Sequence, residues 1–198
     1  MGLRERNALH TRSWIADSAL DLFEQRGYDA TTLEEVAARA EVSVSTLYRY
    51  FPTKDSLLVD HPALEIGALA RALRGRPASE PVSKALGAAV LTFLGEADAS
   101  REIIGRLRAV IDVVPVARAR MWDTTHRESA LLAEAVRERL GADSAAEEGI
   151  LAAELALAVV VLALQYGSDD PGSARARGER VLELLDRPGV VERIVPRP

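Results

Sequence analysis

The sequence predicts an all-α protein: a small N-terminal three-helix unit containing a helix–turn–helix, followed by a larger helical bundle. Three observations carry this. Apolar residues recur at three- and four-residue spacing along all 198 residues. Alternation of Val, Ile and Thr between turns never persists. Helix start and stop residues punctuate the pattern at regular intervals.

The first helix is marked by an apolar stripe of Ile15, Ala19, Leu22 and Phe23, with Gly27 as its stop. In "TTLEEVAARA", Thr32 and Glu35 form a capping box, and Leu33, Val36, Ala37 and Ala40 face inward. Ser43 caps a short third helix ending near Phe51. Pro52 breaks the chain, and Thr53 is read as the cap of a fourth helix through "KDSLLV". The pattern resumes over Ala63 to Leu73, so the fourth helix is expected to continue with a kink at Pro62.

After the loop "RGRPASEP", helices are expected over about Val82–Gly95, Ser100–Val114, Val116–Leu140, Ala145–Tyr166 and Ala174–Leu185. The second of these has Ile103, Ile104, Leu107, Ile111 and Val114 on one face, and Pro115 suits the first turn of the next. Ser144 and Glu147 make a second capping box, and Gly167 closes that helix. "EEGILAAELALAVVVLALQYG" has almost no polar face and must be buried. With "RARGERVLELL" it is read as a dimer seam, or else as an intramolecular core helix.

Composition narrows the function. A hydrophobic content of 48% and mean hydropathy near zero fit a folded chain. With no cysteine, thiolate metal sites, disulfides and cysteine nucleophiles are excluded. "MGLRERNALHTRS" lacks the apolar core of a signal peptide. The most apolar run, Leu155 to Leu164, is about half a membrane span. A cytoplasmic location without membrane contact is therefore expected. No phosphate-cradling glycine loop, nucleophile elbow or HExxH is present, so no enzyme is expected. His126 lies one turn from Asp123 without a convincing third ligand, so neither metal nor cofactor is expected.

The stretch "VSVSTLYRYFPTKDSL", Val42 to Leu57, gathers two tyrosines, an arginine and one of the chain's two lysines, although net charge is −5. At 100° per residue, Leu47 and Phe51 share one face. Ser45 and Arg49 lie opposite, Thr46 and Tyr48 on the flanks, and Tyr50 between flank and core. A two-turn helix exposing these groups around a two-residue anchor suits a recognition helix. Arginine pairs with guanine, hydroxyls reach base edges, and flanking hydroxyls and a lysine bind phosphate. Lys54 is read into the first turn of the next helix. Charge is the objection, since residues 1–60 hold seven Arg/Lys against ten Asp/Glu. Arg4, Arg6 and Arg12 form an N-terminal arm that enters a minor groove, or a frayed tail.

"IADSALDLFEQRGYDATTLEEVAARAEVSVSTLYRYFPTKDSLL", Ile15 to Leu58, resembles the DNA-binding domain of TetR-family transcriptional regulators. The resemblance implies a helix–turn–helix domain with its arm over residues 1–60 and a ligand-binding and dimerisation domain over residues 61–198. It implies a homodimer on a palindromic double-stranded DNA operator and a small-molecule effector, with repression as the expected sign. Ser45, Thr46 and Arg49 would meet base edges, Tyr48, Tyr50 and Lys54 the backbone, Val44 a thymine methyl, and Thr32 a phosphate. "LLVDHPALEIGALARALRGRPASEP" and "VVPVARARMW" resemble, to a lesser degree, the subset with acyl-CoA-like ligand domains.

Candidate ligand contacts are Phe93, Trp122 and Tyr166, which could line a cavity, with Arg106, Arg118 and His126 as polar anchors. Core packing and surface salt bridging are the alternatives for each. Two positions depart from the family pattern. Glu41 stands where many relatives have glycine in the tight turn, and Glu34 where some place a DNA-contacting Arg or Thr. They leave open the alternative of a small-molecule-binding or protein-interaction module with a degenerate head.

Overall fold

The computed structural model describes residues 2–141, 145–165 and 172–189. All regular structure among them is helical: α1 (Leu3–Arg26), α2 (Leu33–Arg39), α3 (Val44–Tyr50), α4 (Ser56–Val59), a 3-10 turn (Pro62–Leu64), α5 (Ala68–Arg74), α6 (Val82–Ala99), α7 (Arg101–Val113), α8 (Pro115–Leu140), α9 (Ala146–Gln165) and α10 (Ala174–Leu185). Ser144 and its capping box, Tyr166 and Gly167 lie outside the described residues. Two compact units result, one of residues 1–65 with 101–125, the other of residues 66–100 with 126–198.

In the first unit the predicted stripe of α1 packs on Val36, Ala37 and Ala40 of α2 and on Leu47 and Phe51. Leu107, Ile111 and Val114 close the same core. The helix starts follow from the sequence. Thr32 Oγ1 accepts from Glu35 N while Glu35 returns a carboxylate oxygen to Thr32 N, the expected capping box. Ser43 caps α3 by accepting from Thr46 N. Gly27 takes φ 89 directly after α1, as a left-handed stop requires.

Three expectations are corrected here. Among the described residues Arg4, Arg6 and Arg12 do not form a separate arm, because α1 begins at Leu3 and contains all three. "LRERNALH" is rich in helix formers and simply extends the helix. Arg12 lies within it, donating to the Asp60 carbonyl at 2.8 Å with its guanidinium over the Phe51 ring. Nor does a kinked helix run through Pro62. The residue before proline avoids the α region, and His61 sits at ψ 136, so α4 stops at Val59 and only a 3-10 turn follows. Thr53 does not cap α4. Its hydroxyl accepts from Arg120 at 2.8 Å, and Ser56 closes the turn by donating to the Thr53 carbonyl.

In the second unit, Leu69 and Leu73, Ala89, Val90 and Leu94, Leu132 and Val136, and Ala153, Ala156, Leu157, Val160 and Ala163 form one core. Carboxylates from neighbouring helices cap two of its helices. Glu128 accepts from the amides of Gly67 and Leu69 at the start of α5, and Asp98 from those of Ala174 and Arg175 at the start of α10. Burial raises the Asp98 pKa, but the amide bonds outweigh it and hold the carboxyl below its ordinary value. Buried Arg177 donates to the Ala163 carbonyl, one of the last four carbonyls of α9.

Within this unit α9 is buried on one side only. Ile150, Leu151, Leu155, Val161 and Leu162 are exposed. They recur at helical spacing on one face. The reading of α9 as a purely intramolecular core helix is thereby corrected.

Candidate nucleic-acid interface and cavity

The interface is built on α3. Leu47 and Phe51 are 0% exposed and fasten it to the first-unit core. Opposite them Ser45, Tyr48 and Arg49 are exposed, and Val44, Thr46 and Tyr50 are half-buried. The Ser43 hydroxyl lies 3.0 Å from that of Ser45 and 2.8 Å from that of Thr46, so the helix start presents three linked hydroxyls. The Arg49 guanidinium lies 5.1 Å from the centre of the Tyr50 ring. No carboxylate pairs with Arg49 among the described residues, which leaves its donor fork available for a base edge.

Lys54 is placed differently from the sequence reading. It precedes α4, a helix of only four residues, and so does not sit on a helix N-terminus. Its ammonium instead lies 4.4 Å from the Tyr28 ring centre and 3.4 Å from the Asp29 carbonyl. Burial, with Asp55 and Asp29 nearby, pushes the Tyr28 phenol up to about 12. Thr32 is exposed at the α2 start, but its hydroxyl is committed to the cap. Hydrogen bonding from the Thr32 backbone holds the Glu35 carboxyl below its ordinary value.

Pairing reduces the charge objection without removing it. Asp21 bonds both Arg39 and Arg106, Glu24 bonds Arg106, Glu35 bonds Arg26, and Asp55 bonds Arg120. These are five acid–arginine pairs on four carboxylates. Two of the arginines, Arg106 and Arg120, come from α7 and α8, whose charge a count over residues 1–60 omits. Sequence reasoning also missed Trp14, whose indole N–H donates to the Ala40 carbonyl at 3.1 Å and ties α1 to the α2–α3 turn. A tryptophan at the edge of an apolar stripe, with a polar tip that needs a partner, is the signal that could have found it.

The turn itself is a Schellman motif. Val42 N donates to Ala37 O and Glu41 N to Ala38 O, with Glu41 at φ 55. Among the described residues Glu41 is the one non-glycine with positive φ.

A cavity of about 420 Å³ opens in the second unit between α6, α8, α9 and α10. Leu86, Val90, Val136, Leu155, Val159 and Leu182 dominate its wall. None of the five candidate ligand residues that are described lines it. Phe93 packs elsewhere on the second-unit core. Arg106 belongs to the first unit, where Asp21 and Glu24 hold its guanidinium. Arg118 reaches the Asp112 carbonyl, Trp122 is 68% exposed, His126 is exposed, and Tyr166 lies outside the described residues. Large side chains and arginines scattered over a bundle do not announce which space they face. The lining consists of ordinary Leu, Val and Ala, which the sequence cannot tell from core. Among the described residues no group of three or more His, Asp or Glu is placed to hold a metal ion. No helix there is long and apolar enough to cross a membrane.

A helix–turn–helix with an outward polar α3, followed by a cavity-bearing bundle, defines a class of bacterial regulators. Residues 15–60 match the family model "Bacterial regulatory proteins, tetR family". The HTH-type transcriptional regulator TcmR of Streptomyces glaucescens is 33% identical over 75% of this chain, and the match spans 65% of that regulator's length. The HTH-type transcriptional repressor Rv3405c of Mycobacterium tuberculosis is 31% identical over 77% of this chain and 69% of its own. The chain belongs to the TetR family. The structure of Bacillus subtilis FadR in complex with stearoyl-CoA shares the fold, with a TM-score of 0.59 at 15% identity over 87% of this chain and 96% of that one.

Proposed function

We propose that this chain is a dimeric, ligand-responsive transcriptional regulator of the cytoplasm that represses by holding a palindromic operator. The outward face of α3 carries the reading, with Ser45, Thr46 and Arg49 displayed and Leu47 and Phe51 sealed behind them. In the major groove Arg49 would read a guanine, the hydroxyls would reach neighbouring base edges, Val44 a thymine methyl, and Tyr48, Tyr50 and Lys54 would grip phosphates. Thr32 would approach a phosphate only as part of its capping box. The apolar stripe of α9 supports a dimer, since a second copy is what such a face needs to leave water. No catalytic role is assigned.

The cavity is the effector site of this reading, and its apolar wall would suit an acyl chain such as that of the stearoyl-CoA bound by B. subtilis FadR. α8 supports a route for the response. It lends residues 115–125 to the unit bearing α3 and residues 126–140 to the unit bearing the cavity. Val136 and Leu140 line the cavity, while Arg120 bonds Asp55 beside α4. An effector preferring a shifted α8 would thus act on the head by population shift. This replaces the kinked fourth helix, which does not form.

Operator binding by single-residue variants tests the DNA reading. Arg49→Ala should cost about 1–3 kcal/mol and relax specificity at one position per half-site, whereas Lys54→Ala should weaken all sites about equally. Unchanged operator selection by Arg49→Ala would remove that residue from base readout. Exposed Glu34 and Glu41 favour the alternative, an interaction module with a degenerate head. Both variants binding duplex as the parent does, without sequence preference, would support it.

A further inference from the structure

The cavity wall carries information about charge. Of its described lining residues only Ser83 and Glu148 bear polar side chains, and none is Arg, Lys or His. The cations of α8 nearest the cavity, Arg137 and Arg139, do not line it and have other partners. Arg137 pairs with Glu134, and Arg139 donates to the carbonyls of Arg76, Pro77 and Glu80. An anionic ligand would lose water on entering and find at the cavity's exposed edge the Glu148 carboxylate instead of a counter-charge. A cation would leave its head beside Glu148 and its apolar body against Leu86, Val90, Val136 and Val159.

We infer that this cavity takes lipophilic monocations in preference to anions, so that the phosphates of an acyl-CoA find no counter-charge among its described lining residues. The inference rests on the effector reading above and narrows it. Both the volume and the lining suit one medium chain or a few fused rings with a single charged end.

Three probes with one tail and different heads separate charge from size: decyltrimethylammonium, decanol and decyl sulfate, titrated below their micelle concentrations into the full chain by calorimetry. The cation should bind about tenfold or more tighter than the anion, equivalent to roughly 1.4 kcal/mol. Glu148→Gln should narrow that gap about threefold or more while leaving decanol unchanged. Ser83→Trp, exposed at the lining and so free of core strain, should weaken all three, which places them in this cavity. Equal or tighter binding of decyl sulfate overturns the inference, as does a gap indifferent to Glu148→Gln. Absence of binding by all three removes the cavity as an effector site. Operator selection by the same protein without probe reports separately on the regulator reading. Its loss defeats that reading, whereas a retained operator with the anion preferred defeats only the charge assignment.

Discussion

Replacing Glu41 with glycine should stabilise the protein, by an amount that follows from the turn geometry. Glu41 occupies the position after the α2 cap, at φ 55, with both Schellman hydrogen bonds formed. An L-residue in the left-handed region costs roughly 1–2 kcal/mol through its Cβ. Glycine avoids that cost but loses more chain freedom on folding, roughly 0.5–1 kcal/mol. The net gain for Glu41→Gly is about 0.5–1 kcal/mol, or about 1–4 °C in Tm for a chain of this length. Glu41→Ala keeps the Cβ and the strain while removing the charge, so it is the control. Thermal and urea unfolding of the parent and both variants should rank Glu41→Gly above Glu41→Ala, with Glu41→Ala close to the parent. If alanine and glycine stabilised equally, charge rather than backbone conformation would be the source and the strain argument would be wrong.

Arg120→Ala should lower stability by about 1–3 kcal/mol in urea, because it strips the partner from Asp55, whose side chain is only 12% exposed. Arg74→Ala breaks a well-formed bond to Glu138 in which both side chains are nearly half exposed, and should leave the midpoint almost unmoved. Gly178→Ala should destabilise by about 1–3 kcal/mol in the same assay, since a Cβ there would overlap Leu94 Cδ1 in the second-unit core. His61 is 4% exposed, accepts from Ala63 N and faces Asp17, and burial above all holds its pKa below 6.5 despite Asp17. The unfolded chain therefore takes up the proton first, so stability should fall as pH drops through the range just below 6.5 and be flat above it. His61→Gln should abolish that slope.

The sequence carried most of the helical architecture, because capping and periodicity are local. The Thr32–Glu35 box, the Ser43 cap, the Gly27 stop and the α7 stripe all form as expected. The outward face of α3 was legible for the same reason, since seven residues at 100° each settle which groups can share a side with Leu47 and Phe51. What failed depends on distant partners. Arg106 looked like a ligand anchor until α1 supplied Asp21 and Glu24, 85 and 82 residues earlier. The apolar residues of α9 promised burial all round, but one face stays exposed, and composition does not say which face the rest of the chain covers. Lys54 was assigned to a helix that the Thr53–Ser56 turn delays to Ser56. The cavity stayed hidden because an apolar residue facing a void has the same pattern as one facing a neighbour.

Selection from a pool of random duplexes, with the full chain as bait, tests the central claim most directly. The account predicts an enriched palindrome whose half-sites lie about one helical turn apart, roughly 34–36 Å centre to centre. Arg49→Ala should yield the same palindrome with one position degenerate in each half. Recovery of no common sequence, with binding that depends steeply on salt alone, would contradict it.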